Sequence, residues 1–222
     1  MSLPPVRSFG RIKARPLKPS QERALAALAP RFGLPDGTLA LQALLPNAAA
    51  HVLEIGFGAG EHLLAQAAAH PHLGFIGVEP FLNGVASCLR DLERAELSNV
   101  RVHQGDAREV LDRCAAASFS RVYMLFPDPW PKTRHWKRRL IQTESLAAIA
   151  RVLAPGGELR FATDWADYAA WTLALLQREP RFEWLGEQAA DWREPWPGHT
   201  PTRYQQKQLG DCTPIWLRAR RI

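Results

Sequence analysis

Three carboxylates occupy the same position relative to three successive apolar segments of this 222-residue sequence. Glu54 lies near the end of the first segment, Glu79 directly follows the second, and Asp106 comes shortly after the third. If these segments are neighbouring parallel strands, their carboxyl ends lie at one edge of the sheet, where ligands bind in open α/β folds. Carboxylates gathered there accept hydrogen bonds from hydroxyl and amino groups and attract positive charge. The spacing therefore predicts a site for a nucleoside-like ligand.

A glycine-rich turn follows the first carboxylate, in the segment Glu54–Gly60 (EIGFGAG). Its glycines, Gly56, Gly58 and Gly60, allow a tight turn between a strand and a helix and the close approach of a ligand. The spacing is G-x-G-x-G rather than the dinucleotide pattern G-x-G-x-x-G. Glu54 would repel a pyrophosphate, but it suits the cationic methionyl part of S-adenosylmethionine. We therefore predict that these glycines and Glu54 bind S-adenosylmethionine rather than NAD.

Glu79 and Asp106 extend the predicted cofactor site. Glu79 lies about 20 residues beyond the glycines, where a carboxylate can accept hydrogen bonds from both ribose hydroxyls. NAD sites share this feature, so it does not discriminate between the two cofactors. Asp106 could accept a hydrogen bond from the adenine amino group, with Ala107 supplying a backbone N–H, or it could cap the next helix. Its place beside two other strand-end carboxylates favours the binding role.

The segment Phe126–Arg139 (FPDPWPKTRHWKRR) brings together a carboxylate, aromatic side chains and five cations. Three prolines stiffen the backbone around Asp128, and a rigidly held carboxylate can accept from both the N1–H and the exocyclic amine of guanine. Trp130 can stack on a base, and the cations suit phosphates. The alternative is a solvated proline-rich loop before a basic helix start. Because cations at a helix N-terminus oppose the helix dipole, a functional role is favoured.

Positive charge is concentrated in two segments that contain no acid, residues 7–18 and residues 132–139. Each holds five Lys or Arg residues and contributes +5, whereas the whole chain carries +6, so the remainder carries −4. The basic character is therefore local. Such segments favour a polyanionic partner such as RNA.

Apolar strand-like segments alternate with helix-length segments through the body of the chain. Strands are predicted over residues 51–55, 74–78, 100–103, 121–126, 158–163, 182–185 and 214–219. Helices are predicted over residues 21–29, 37–45, 60–69, 81–95, 108–114, 137–152 and 165–178. This alternation predicts a Rossmann-like α/β fold with a mostly parallel sheet and an antiparallel edge hairpin.

Several classes of protein are disfavoured by composition. No apolar run reaches the roughly 18 residues of a membrane span, and no apolar segment follows the basic N-terminus as in a secretory signal. Cys88, Cys114 and Cys212 are widely scattered and suggest neither a disulfide framework nor zinc. We therefore expect a cytoplasmic protein with no metal and no membrane partner, and the oligomeric state stays open.

Six motifs together resemble those of the bacterial tRNA (guanine-N7)-methyltransferases. The segment Phe126–Arg139 resembles that family's central signature, and Leu53–Gly60 resembles its cofactor loop. Four shorter motifs resemble later family positions in the same order along the chain, namely Gly77-Val78-Glu79, Gly105-Asp106-Ala107, Thr163-Asp164 and Thr202-Arg203-Tyr204. The matches extend over most of the chain.

The resemblance implies a Rossmann-like methyltransferase domain over residues 31–222, preceded in residues 1–30 by a basic arm and the start of the first helix. The implied reaction moves a methyl group from S-adenosylmethionine to N7 of the guanosine at position 46, in the variable loop of tRNA. Cofactor-binding residues would be Glu54, Glu79, Asp106 and Asp128, and Asp128 would also be catalytic. Substrate-binding residues would be Lys132, Asp164, Thr202, Arg203, Tyr204 and Gln205. RNA contacts would come from Arg134, His135, Trp136, Lys137, Arg138 and Arg139.

Gln205 departs from the family pattern, which usually has Glu at this position. Its amide can accept a hydrogen bond from guanine, but it cannot neutralise a methylated, cationic purine. Either Asp128 and Asp164 suffice, or the enzyme is slower, or the local correspondence fails.

Three other functions compete with this interpretation. An NAD-dependent oxidoreductase would need neither Glu54 nor the cations of residues 132–139. A non-catalytic RNA-binding protein would bind RNA without methyl transfer. A small-molecule methyltransferase would leave both basic segments without a role.

Overall fold

Seven strands form one sheet in the computed structural model, which describes residues 16–222. The strands are β1 (Ala50–Ile55), β2 (Leu73–Glu79), β3 (Val100–Gln104), β4 (Phe119–Leu125), β5 (Leu153–Thr163), β6 (Phe182–Trp184) and β7 (Ile215–Arg221). Their order across the sheet is β3-β2-β1-β4-β5-β7-β6. Strands β1 to β5 pair in parallel, whereas β7 is antiparallel to both β5 and β6. The predicted fold class, including the antiparallel edge hairpin, is confirmed.

Helices precede, connect and follow the strands. They are α1 (Pro19–Phe32), α2 (Leu41–Leu44), α3 (Glu61–Ala69), α4 (Leu82–Arg94), α5 (Ala107–Arg113), α6 (Thr143–Val152), α7 (Ala166–Arg178), α8 (Ala190–Arg193) and α9 (Arg203–Lys207), with a 3-10 helix over Thr133–Arg138. None of the helices between residues 16 and 222 combines the length and apolar character that crossing a bilayer requires.

Two apolar layers cover the two faces of the sheet. On one face, α1, α3 and α4 contribute side chains such as Leu28, Leu63 and Leu89. On the other face, α5, α6 and α7 contribute Leu111, Ile149 and others. Helices on both faces are what a parallel sheet requires, because its strands are apolar on both sides.

The order in which strands are added to the sheet reverses between β1 and β4, although the two strands are parallel. The chain runs outward from β1 through β2 to β3, and then returns to place β4 beside the other side of β1. At such a switch point, the loops that follow the two strands diverge and leave a crevice. These loops are residues 56–60 and residues 126–132, the two segments singled out by the sequence.

The predicted helix over residues 137–152 was too long at its start, since α6 begins at Thr143. The Ser145 hydroxyl accepts a hydrogen bond from the Gln142 backbone N–H at 2.9 Å, which fixes the start of α6 at that point. The preceding cations belong instead to the 3-10 helix. The expectation that they oppose the dipole of a long helix was therefore wrong.

Helix α1 crosses the predicted boundary at residue 30. Its buried residues Ala24, Leu28 and Phe32 join the apolar layer that contains α4. Of the first basic segment, only Lys18 and its immediate neighbours lie among the described residues, and Lys18 is exposed. Arg7, Arg11, Lys13 and Arg15 lie outside them.

Candidate active site

The turn after β1 owes its shape to its glycines. Gly56, Gly58 and Gly60 have φ values of +79°, +60° and +92°, in the left-handed region that side chains with a Cβ disfavour. Gly60 also packs closely, since a Cβ there would lie 2.6 Å from the Sγ atom of Cys88. The backbone N–H of Gly58 donates to Glu79 Oε2 at 2.8 Å. The end of β2 thereby fixes the turn after β1.

A cleft of about 320 Å³ opens at the switch point. Four of the predicted cofactor-binding residues line it, namely Gly56, Glu79, Asp106 and Asp128, and so does Arg138, which was predicted to contact RNA. The rest of its wall comes from the ends of β1 and β2 and from the segments that follow β2, β3 and β4, including Phe81, Phe126 and Trp130. Apolar and aromatic walls with a few convergent polar groups are typical of a site for a small ligand.

Carboxylates give this cleft a negative character. Burial raises the pKa of Glu79 above its ordinary value, and the nearby charges of Asp128 and Glu54 raise it further. Hydrogen bonds from the backbone N–H groups of Phe81 and Gly58 oppose this shift. Like charges held together in a partly buried site are relieved by a cationic ligand. The electrostatics therefore suit a ligand with a positive centre and disfavour a pyrophosphate.

Asp106 serves as the N-cap of α5. Its Oδ1 atom accepts a hydrogen bond from the backbone N–H of Arg108 at 2.9 Å, and its Oδ2 atom pairs with the Arg108 guanidinium at 2.7 Å. Both residues line the cleft. The capping role that the sequence left open is therefore present, and the sequence reasoning did not foresee Arg108 as the partner.

The loop that carries Asp128 is strained on both sides of it. Phe126 and Trp130 have φ values of +50° and +46°, which are unusual for large side chains. Such strain persists only where surrounding contacts impose it. Here Phe126 N–H donates to the Ala162 carbonyl at 2.7 Å, and the Pro129 carbonyl accepts from Arg139 at 2.8 Å. Asp128 itself is exposed on the cleft wall.

Three of the five cations in residues 132–139 face solvent, namely Lys132, Arg134 and Lys137. Arg138 lies over the Trp130 ring, with its Cζ atom 4.9 Å from the ring centroid. Desolvation and then the surrounding cations, Arg138 first, lower the pKa of His135. His135 therefore stays neutral at pH 7, and Lys and Arg carry the charge of this surface.

Arg139 differs from its predicted role as an RNA contact. Its side chain is 0% exposed and pairs with Asp167 Oδ2 at 2.6 Å. The guanidinium also lies 4.7 Å from the ring centroids of both Trp136 and Tyr168. A buried, paired cation is not available to a phosphate, so this prediction was wrong. Arg139 instead ties the loop of Asp128 to α7.

The late motif, residues 202–205, forms the start of α9. The Thr202 hydroxyl caps this helix by accepting from the Gln205 backbone N–H at 3.2 Å. Tyr204 donates its hydroxyl proton to Asp164 Oδ1 at 3.4 Å, and Asp164 is buried at the end of β5. Burial raises the pKa of Tyr204, and the charges of Asp164 and Asp128 also contribute. Asp128, Asp164 and Tyr204 thus lie within electrostatic reach of one another.

Glu54 and Gln205 have partners that the sequence reasoning missed. Glu54 is buried beside the cleft rather than in its wall, and it accepts a hydrogen bond from His62 Nδ1 at 2.7 Å. Gln205 Oε1 accepts from His199 Nε2 at 2.8 Å. The signal for His62 was its place in the first turn of α3, which brings it back over the strand that carries Glu54. His199 lies in an irregular segment, where spacing carries no such signal.

Similar proteins are methyltransferases. A family model described as "Putative methyltransferase" matches residues 48–216. The tRNA (guanine-N(7)-)-methyltransferase of Caulobacter vibrioides is 52% identical over 213 residues, which cover 96% of this chain and 94% of the relative. A nicotinamide-dependent oxidoreductase is not favoured by these similarities.

Solved structures share the fold at low sequence identity. The 16S rRNA methyltransferase KamB matches with a TM-score of 0.60 at 13% identity, over 84% of this chain and 95% of that chain. A 16S rRNA (adenine(1408)-N(1))-methyltransferase variant from Catenulisporales acidiphilia, solved with its cosubstrate SAM, matches with a TM-score of 0.55 at 16% identity, over 81% of this chain and 89% of that chain. These likenesses show that the chain shares its fold with both enzymes.

Proposed function

The chain belongs to the tRNA (guanine-N(7)-)-methyltransferase family, and we therefore propose that it transfers a methyl group from S-adenosylmethionine to N7 of a guanosine in tRNA. We further propose position 46 of the variable loop as the target, following the resemblance of the motifs. The observation that carries the proposal is Asp128, held by a strained loop on the wall of the switch-point cleft. Because tRNA is the substrate, we expect the reaction to take place in the cytoplasm.

The cleft fits a cationic cofactor. S-adenosylmethionine, when bound, supplies a methyl group on a positively charged sulfur. Glu79, whose raised pKa reflects burial and neighbouring carboxylates, would accept hydrogen bonds from the ribose hydroxyls. Asp106 and Ala107 both line the cleft, and the Asp106 carboxylate and the Ala107 backbone N–H would meet the adenine. Gly56, Gly58 and Gly60 would let the backbone approach the ligand, and Glu54 would bind its methionyl end.

The proposed reaction does not require acid–base catalysis by the protein. N7 of guanine has a free lone pair at neutral pH, so no general base has to remove a proton. The residues around the cleft therefore act mainly by holding the base in line with the donor. Asp128 would accept hydrogen bonds from the N1–H and exocyclic amine of guanine, and Trp130 would stack on a base.

Methylation at N7 leaves the purine with a positive charge, which the nearby carboxylates would stabilise. Asp128 and Asp164 both influence the Tyr204 hydroxyl, so their charges act on one region. Gln205 adds no charge there, and its Oε1 atom already accepts from His199. We therefore assign charge stabilisation to the two aspartates. Thr202, Arg203 and Tyr204 would help to hold the substrate.

The exposed cations would bind the tRNA backbone. Lys132, Arg134 and Lys137 face solvent beside the Asp128 loop, where phosphates flanking the target base could contact them. His135 and Trp136 are half-buried and would contribute only their exposed edges. Arg138, stacked on Trp130, would link the phosphate contacts to the base-stacking ring.

Incubation with methyl-labelled S-adenosylmethionine and an unmodified tRNA transcript tests this proposal. We expect one labelled nucleoside, 7-methylguanosine, which maps to the variable loop. A transcript with adenosine at that position should take up no label. Label absent from tRNA, or found on another atom or base, would refute the proposed activity.

A further inference from the structure

Helix α3 contacts the segment of residues 198–205, which contains the late motif. His62 and Gln66 are one helical turn apart, and both are buried. Gln66 Nε2 donates to the Gly198 carbonyl at 2.7 Å, and Glu61 pairs with Arg203 at 2.6 Å. Helix α3 directly follows the glycine-rich turn, whereas Gly198 lies in the segment before the late motif and Arg203 belongs to that motif. The two halves of the proposed site therefore meet at α3.

His62 lies at the centre of this contact. A carboxylate only accepts hydrogen bonds, so the His62 Nδ1 atom is the donor to Glu54 Oε2 at 2.7 Å. The His62 ring also faces the His199 ring, with centroids 5.5 Å apart and planes tilted by 31°. His199 Nε2 in turn donates to Gln205 Oε1 at 2.8 Å. A continuous series of contacts thus runs from Glu54 to Gln205.

Packing alone does not explain a histidine at this position. His62 is 1% exposed, and its Nε2 atom has no hydrogen-bond partner within the described residues. An imidazole with one unsatisfied nitrogen costs free energy that a leucine of similar size would not. The neighbouring Leu63 and Ala67 already fill the apolar layer under α3. The polar side chain must therefore serve something other than the core.

We propose that His62 is a positioning residue, which orients Glu54 at the cofactor end of the site and, through His199, seats the segment that carries Gln205 at the substrate end. This inference rests on the proposed function, because it assigns Glu54 to the cofactor and Gln205 to the tRNA. This role explains why one buried histidine contacts both Glu54 and His199. It also means that substitutions can affect the cofactor end and the substrate end of the site separately.

Two substitutions of His62 separate the two contacts. His62→Leu removes both the hydrogen bond to Glu54 and the ring contact with His199. We expect a rise of about ten-fold in the KM for S-adenosylmethionine from the lost hydrogen bond, and a fall of about ten-fold in kcat because His199 is no longer held against Gln205. His62→Asn can place an amide N–H where Nδ1 lies, so it should restore the KM for S-adenosylmethionine. Its kcat should stay low, because the ring that faces His199 is gone.

His199→Phe tests the second half of the series. Phenylalanine keeps a ring against His62 and Trp216, whose contact with His199 is 4.6 Å between centroids, but it cannot donate to Gln205. We expect an unchanged KM for S-adenosylmethionine and a kcat lowered by about ten-fold. His70→Asn is the matched control, because His70 directly follows the far end of α3 and its Nδ1 atom bonds the Gln66 carbonyl, away from both His62 contacts. It should leave both constants unchanged.

Binding of S-adenosylmethionine by calorimetry and the Tm of each variant accompany the kinetics. Equal KM values for His62→Leu, His62→Asn and the unaltered protein, or losses that simply follow Tm, would overturn the proposal and leave His62 a structural residue. If the unaltered protein bound S-adenosylmethionine but methylated no tRNA, the proposed function would fail instead. The calorimetric comparison of the two His62 variants would still decide the role of His62 toward Glu54.

Discussion

Asp128 combines exposure with restraint. The carboxylate faces the cleft, while the backbone on either side is held in unusual conformations by contacts to β5 and Arg139. A side chain with these properties contributes to the site without contributing to the core. Substitution at this position should therefore separate activity from stability.

We predict that Asp128→Asn lowers kcat by roughly 100-fold, the effect of losing one group that stabilises charge in a transition state. Its Tm should match that of the unaltered protein, because Asp128 is exposed. Steady-state kinetics with tRNA and a thermal melt check both parts. Undiminished turnover would remove Asp128 from the reaction, and a large loss of Tm would make it a structural residue.

Glu79 makes cofactor binding depend on pH. Burial, Asp128 and Glu54 raise its pKa, so Glu79 takes up a proton at a higher pH than an ordinary glutamate. The protonated form has lost the charge that attracts the sulfonium, so affinity for S-adenosylmethionine should fall as pH falls through this raised value. Calorimetric titrations between about pH 8 and about pH 5 check this. Constant affinity over that range would show that Glu79 does not face the cofactor.

The stability of the ligand-free protein should respond to Glu79 in the opposite direction. A group whose pKa is raised by folding binds its proton more tightly in the folded state, so its contribution to stability is present in acid and is lost as pH rises. Affinity for S-adenosylmethionine, in contrast, should rise with pH as Glu79 ionises. The increase in Tm on adding S-adenosylmethionine should therefore grow with pH. A thermal melt series with and without the cofactor measures this difference.

At the residue level, the sequence predicted which side chains come together at the cleft better than it predicted their partners. Four of the predicted cofactor residues line the cleft, because strand ends converge at a switch point whatever the details of packing. Arg139 was misplaced, because charge alone does not reveal that Asp167 on α7 lies opposite it. The same limit hid the pairs of Glu54 with His62 and of Gln205 with His199, which join residues from separate segments.

The exposed cations Arg134 and Lys137 lie on the short 3-10 helix over Thr133–Arg138. We predict that Arg134→Ala together with Lys137→Ala weakens tRNA binding and reduces the slope of log affinity against log salt by about 1.5, as two phosphate contacts are lost. Binding of S-adenosylmethionine should not change. Salt titrations of tRNA affinity test this, and an unaltered slope would place the phosphate contacts elsewhere.

Arg139→Ala is the matched contrast to that double substitution, because it removes a cation of the same segment that is buried rather than exposed. It leaves Asp167, which is 37% exposed, without its partner and opens space between Trp136 and Tyr168. We expect a loss of about 2 kcal/mol in the free energy of unfolding, mainly from the packing lost between the two rings, because water still solvates Asp167. Chemical denaturation measures this loss, and a change in salt slope with full stability would restore Arg139 to the RNA surface.

At the element level, the regular parts were predictable and the irregular ones were not. The alternation of apolar strands with helices such as α3, α4 and α7 matched the observed elements closely, because each must bury one face against the sheet. The start of α6 was predicted too early. A local hydrogen bond between Gln142 and Ser145 begins the helix, and the preceding run of cations gives no sign of it in the sequence. Residues 185–214 gave little pattern, yet they hold His199 and the late motif.

Across the whole molecule, positive charge is concentrated in two segments of the chain, whereas carboxylates gather at the cleft. Two short segments carry +10 between them, while the remainder carries −4. This division suits an enzyme that must attract a polyanion and a cationic cofactor at neighbouring places.

We predict that deletion of residues 1–15, which carry four of these cations, weakens tRNA binding more at low salt than at high salt. Affinity for S-adenosylmethionine should be unchanged, because the cleft is built from residues 55–140. Filter binding over a range of salt concentrations checks the first part, and calorimetry checks the second. Equal tRNA affinity with and without this segment would remove it from the RNA-binding surface.

The central claim is that N7 of one guanosine accepts the methyl group, and removing that nitrogen from the substrate tests it most directly. Two tRNAs are compared that differ only at the mapped variable-loop nucleoside, guanosine in one and 7-deazaguanosine in the other, which lacks N7. We predict that both bind with the same affinity and that only the guanosine form accepts a methyl group. Methylation of the 7-deaza form at a comparable rate would contradict attack by N7.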